Sequence, residues 1–120
     1  MKLTQKHLDY FQKRCEYWLN KFGLDNWRVS YAWNDNDKRD IAACIDARLE
    51  GYNATIFLTR DWTGFVSEPT NDKLDGSAKH EVLHLLLART RTYAIRRYVT
   101  PDEIYEAEEE LVEKLNKIIK

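Results

Sequence analysis

The chain has 120 residues, 43% of them hydrophobic and 32% charged, with a formal net charge of -1. That composition fits a single folded domain over residues 1–120 and excludes a disordered chain. The near-neutral balance gives no general attraction to nucleic acid or to an anionic membrane, and no apolar run approaches the roughly 20 residues of a membrane span.

Residues 1–7 lack the apolar core of a signal peptide. Cys15 and Cys44 both stand where an apolar side chain would fit. They read as reduced, buried thiols, and together with the missing leader they point to a cytoplasmic location.

The first predicted element is a helix. Thr4 is a candidate N-cap, Leu8, Phe11, Cys15, Trp18, Leu19 and Phe22 recur at helical spacing, and Gly23 is a candidate stop. His7 falls in the first turn, where a surface or capping role suits it better than metal ligation. From Leu24 the period changes from 3.6 to 2: Trp27, Val29 and Tyr31 alternate with smaller or polar residues up to Trp33. Residues 34–40 are a polar turn. They lack the Gly and the distal Glu of a calcium loop.

A second strand is expected over 41–49, a turn over 50–53 and a third strand over 54–58. Short strands joined by turns predict a three-stranded antiparallel meander packed on helices, an α+β fold. Residues 60–75 read as a connector with Trp62, Phe65 and Val66 as apolar anchors. Packing beneath a loop fits Trp62 and Phe65 better than substrate contact.

The next helix is expected to begin between Asp72 and Ser77 and to end near Arg89 or Thr90. It carries His80-Glu81-Val82-Leu83-His84, the pattern H-E-x-x-H, within an apolar run. Residues four apart share a helix face, so both imidazoles can address one metal ion. Zinc suits two imidazoles, and Glu81 is placed to take a proton from a water activated there. Arg89, Arg91, Arg96 and Arg97, interleaved with Tyr93 and Tyr98, make a short basic cluster. A helix C-terminus accounts for part of it, and nucleic acid is not an expected partner.

Thr100-Pro101-Asp102-Glu103 is a helix start with a capping box. Ile104, Leu111, Leu115 and Ile118, joined by Ala107, Val112 and Ile119, form the apolar stripe of a last helix. A catalytic zinc takes three protein ligands, and no third histidine lies downstream. The third ligand is therefore expected among Glu106, Glu108, Glu109, Glu110 and Glu113. Glu108 lies on the buried stripe and is the first choice; Glu109, one position round, is the second. Tyr93, Tyr98 and Tyr105 are candidates for stabilising an oxyanion.

With these residues the chain resembles a minimal zincin of the gluzincin kind, and more closely the small metallopeptidases of bacteriophages and prophages akin to the SprT-like proteins. The resemblance rests on the segment from Ala78 to Leu87 and on Glu108-Glu109-Glu110-Leu111-Val112-Glu113-Lys114-Leu115. It implies a minimal zincin-like fold and peptide-bond hydrolysis in a peptide or protein held along a sheet edge. By the same resemblance His80, His84 and a last-helix Glu hold Zn2+, and Glu81 activates water. The DNA-binding appendage of larger SprT relatives has no counterpart here, so a DNA-linked role is not expected; a phage origin would put the protein in the host cytoplasm. The alternative is a non-catalytic zinc-binding interaction module.

Overall fold

In a computed structural model the chain forms helix α1 (Gln5–Lys21), strands β1 (Arg28–Asn34), β2 (Ala43–Arg48) and β3 (Asn53–Thr59), and helices α2 (Asn71–Ile95) and α3 (Pro101–Ile118). The structure describes residues 2–35, 41–62, 69–95 and 100–118. The polar turn at 36–40, Phe65 and Val66, the Arg96-Arg97-Tyr98 part of the basic cluster, and Ile119 lie outside the described residues. So do the side chains of Arg89, Tyr93, Ala107, Leu111 and Ile118.

Both ends of α1 follow from local chemistry. Thr4 N–H donates to His7 Nδ1 at 2.9 Å, so the imidazole fills the acceptor place of a capping box. At the other end Gly23 takes φ +70. Its N–H reaches Asn20 O at 3.1 Å, and Leu24 N–H reaches Leu19 O at 2.8 Å. This pair of bonds closes the helix and needs the left-handed residue that glycine supplies.

The sheet corrects the expected meander. Its order is β1-β3-β2, with β1 parallel to β3 and β2 antiparallel to β3. The centre goes to the most apolar strand: Ile56 and Leu58 of β3 are fully buried and Ala54 nearly so. Every described β2 residue keeps some exposure, and Asp46 and Arg48 are exposed, which suits an edge. Thr59 therefore has chain on both sides: Asn34 of β1 is its parallel partner, and on the β2 side its N–H donates to Ala42 O at 2.9 Å and its hydroxyl to Ile41 O at 2.8 Å.

The register places Tyr31, Ile45 and Ile56 on one face. That face packs on α1 and α2 around Phe11, Cys15, Trp18, Leu74, Ala78, Val82 and Leu85. Trp62 joins this core at 5% exposure, as the packing reading expects. Neither cysteine is in a disulfide; Cys15 is buried and Cys44 half-buried. Among the described residues no helix is long and apolar enough to cross a membrane.

Helix α2 is longer than expected at both ends, 25 residues in all. Thr70 supplies the missed N-terminal signal: its hydroxyl accepts the Lys73 N–H at 3.3 Å. Gly76 is taken into the helix, where a Cβ would meet nothing within 4 Å. Asp75 then stands in the first turns of α2 and accepts from Arg14 Nε at 2.6 Å and from Trp18 Nε1 at 2.9 Å, tying α1 to α2. The start of α3 is as expected: Thr100 accepts the Glu103 N–H at 3.3 Å and donates to Glu103 Oε1 at 2.8 Å. Helix α3 runs back along α2, and Leu83, Ile104 and Val112 are buried outside the main core.

Candidate metal centre

The helical spacing of His80 and His84 turns both rings toward α3, with centroids 5.0 Å apart. The antiparallel course of α3 presents carboxylates to them. Glu109 Oε1 lies 2.7 Å from His84 Nε2, and Glu109 Oε2 lies 3.8 Å from His80 Nε2. His80, His84 and Glu109 each offer one donor atom within 4.8 Å of the others, a group that could hold a metal ion.

Each ring is also held from behind. Glu108 Oε1 accepts from His84 Nδ1 at 2.8 Å, and Glu113 Oε1 stands 3.1 Å from His80 Nδ1. A carboxylate on Nδ1 fixes the ring's orientation and leaves Nε2 as the ligand atom. Thus Glu108, the first choice from the sequence, is buried as its place on the apolar stripe implied, yet it contacts the far side of His84. Glu109, the second choice, is the carboxylate grouped with the two histidines. The role of Glu113 was not singled out. The signal for it is the four-residue step from Glu109 to Glu113, which repeats the step from His80 to His84 on the facing helix.

Glu81 is buried at 6% exposure, with Oε2 3.8 Å from His80 Nε2. Burial pushes its carboxyl up to about 7, against the pull of His84 and with help from Glu109 and Glu113. Burial, with repulsion from His84, lowers His80. For His84 burial acts downward, but the Glu108 hydrogen bond and the charges of Glu81 and Glu109 outweigh it and raise the ring's proton affinity.

The donor set fits zinc. Two borderline imidazole nitrogens and a harder carboxylate oxygen make a donor set that zinc takes with one position left open. Four carboxylates, those of Glu81, Glu108, Glu109 and Glu113, surround two imidazoles, an excess that a bound divalent cation would offset.

The centre opens into a cleft of about 440 Å³ between α2, α3 and the edge strand β2, with Arg91, Thr92 and Tyr105 at one end. A second cavity of about 550 Å³ reaches His80 and Glu81 from the side of Trp62, Lys73 and Gly76. Of the three tyrosine candidates, Tyr105 lines the first cleft; the Tyr93 side chain and Tyr98 are outside the described residues. Comparison with known proteins found no matching family model and no match among the curated proteins or the solved structures.

Proposed function

We propose that the chain is a zinc-dependent peptidase. The observation that carries this reading is Glu81, a buried carboxylate 3.8 Å from His80 Nε2 that is not one of the three grouped donors. A site that only holds a metal has no need of it. Bound by His80, His84 and Glu109, a zinc ion supplies Lewis-acid polarisation of a carbonyl and lowers the pKa of water.

The chain's own groups do the rest. Glu81 accepts the proton of the attacking water at its carboxylate and delivers it to the departing amine nitrogen. Burial, which raises the proton affinity of the Glu81 carboxylate, favours its role as proton acceptor. Glu108 and Glu113 hold the imidazoles in register. β2 pairs only with β3 among the described strands, so its other edge offers backbone hydrogen bonds to an extended peptide.

The test is metal content by mass spectrometry beside hydrolysis of a fluorogenic peptide mixture. Glu81→Gln is expected to keep its zinc and lose hydrolysis. Undiminished hydrolysis by that variant, or no metal uptake by the native chain in excess zinc, sinks the reading. Zinc uptake without hydrolysis by the native chain supports the non-catalytic binding module instead.

A further inference from the structure

Arg91 lies two turns beyond His84 on the same continuous helix, about 10 Å along its axis. An extended peptide covers that distance in about three residues. Arg91 is the one permanent cation among the described residues lining the cleft, and Thr92 and Tyr105 stand with it. Its ionic partner among the described residues is Glu108, whose Oε1 lies 3.8 Å from Nε, beyond hydrogen-bond reach. That same oxygen is already engaged by His84 Nδ1 at 2.8 Å. The Arg91 side chain stays 38% exposed, and a guanidinium has five N–H donors in a planar fork suited to a carboxylate.

The rest of the cleft sharpens the selection. Asp46, Glu81, Glu108 and Glu109 also line it. A substrate carboxylate placed off the Arg91 position meets one of these like charges.

We propose that Arg91, with Thr92 and Tyr105 beside it, forms a carboxylate-binding subsite. It selects peptides that carry a carboxylate about three residues from the bond cleaved. The carboxylate comes from an Asp or Glu side chain or from the C-terminus of the peptide. This inference rests on the cleft being a peptide site, as the proposed function has it.

The experiment uses fluorescein-labelled peptides and the zinc-loaded Glu81→Gln protein, with binding read by anisotropy. One series moves a single Glu through a neutral peptide; a second compares free-acid and amidated C-termini of the neutral peptide. About tenfold tighter binding is expected for one Glu position or for the free terminus, and this distinguishes the two sources. Adding Arg91→Gln is expected to abolish the preference at unchanged zinc content, while Arg91→Lys keeps part of it. Affinities within twofold across both series overturn the subsite, and so does a preference that survives Arg91→Gln. The peptide series decides the matter even if that variant does not fold.

Turnover by the native chain separates this inference from the one beneath it. Equal hydrolysis of all peptides overturns the subsite and leaves the peptidase reading standing. Selective binding with no hydrolysis overturns the peptidase reading and supports the subsite.

Discussion

Glu109 bridges toward both histidines of α2, but it approaches His84 Nε2 at 2.7 Å and His80 Nε2 only at 3.8 Å. Neighbouring Glu108 takes the opposite nitrogen of His84. Consecutive residues of α3 therefore grip one ring from its two sides.

This arrangement separates two kinds of substitution. Glu109→Ala is expected to remove a donor and abolish stoichiometric zinc binding. Glu108→Ala and Glu113→Ala are expected to keep one zinc per chain at an affinity weakened by roughly 10- to 100-fold, the usual effect of losing a group that orients a ligand. Competition with a chromophoric chelator measures both. Loss of zinc in Glu108→Ala with retention in Glu109→Ala would reverse the assignment.

The raised proton affinity of Glu81 gives a pH signature in the metal-free protein. A carboxyl with a folded-state pKa above its ordinary value favours folding while protonated. That contribution is full below about 4.5 and is lost as pH rises through about 7. Glu81→Gln removes the loss. Above pH 7 the variant is expected to be more stable than the native chain by up to about 3 kcal/mol, and the gap to close toward pH 4.5. Urea unfolding in the presence of chelator across this range checks it; a gap that does not change with pH contradicts it.

Strand order is open to a direct comparison. Ile56 of β3 is fully buried, whereas its partner Ile45 of β2 is half-buried at the edge. Ile56→Ala is expected to cost about 2–5 kcal/mol, and Ile45→Ala at least about 1 kcal/mol less. Equal costs would contradict the edge placement of β2, and a larger cost at Ile45 would favour β2 as the central strand.

Asp75 joins α1 to α2, the helix that carries the two histidines, through Arg14 and Trp18. Asp75→Ala leaves the indole N–H and the guanidinium without that acceptor and is expected to cost about 1–3 kcal/mol. Trp18 fluorescence and thermal unfolding report it together. Zinc stoichiometry should stay at that of the native chain, because Asp75 touches neither histidine nor Glu109.

Elements defined by local chemistry were legible in the sequence. Gly23 ends α1 and Thr100-Pro101 begins α3 because capping depends on residues a few positions apart. His80, Glu81 and His84 were legible for the same reason, since one helix sets their spacing. Sheet order was not, because a period of two assigns faces and says nothing of which strands are neighbours. Nor did the apolar stripe of α3 decide between Glu108 and Glu109. Glu108 lies on it and Glu109 one position round, and what separates their roles is the side of His84 each one meets, which depends on how α3 lies across α2.

The placement of β3 between its two partners has a consequence for how the chain reaches this state. β2 and β3 close across the tight 49–52 turn, with Arg48 opposite Asn53. β1 must instead bring Arg28 to that same Asn53 with the whole intervening segment looped out. Loop-closure entropy predicts an order of events in which the hairpin forms first and the parallel pair joins late. On that order the wall of the cleft is expected to assemble before the sheet is complete. Side-chain truncations in β1 should then accelerate unfolding while leaving the folding rate nearly unchanged, whereas truncations in β2 and β3 should slow folding itself.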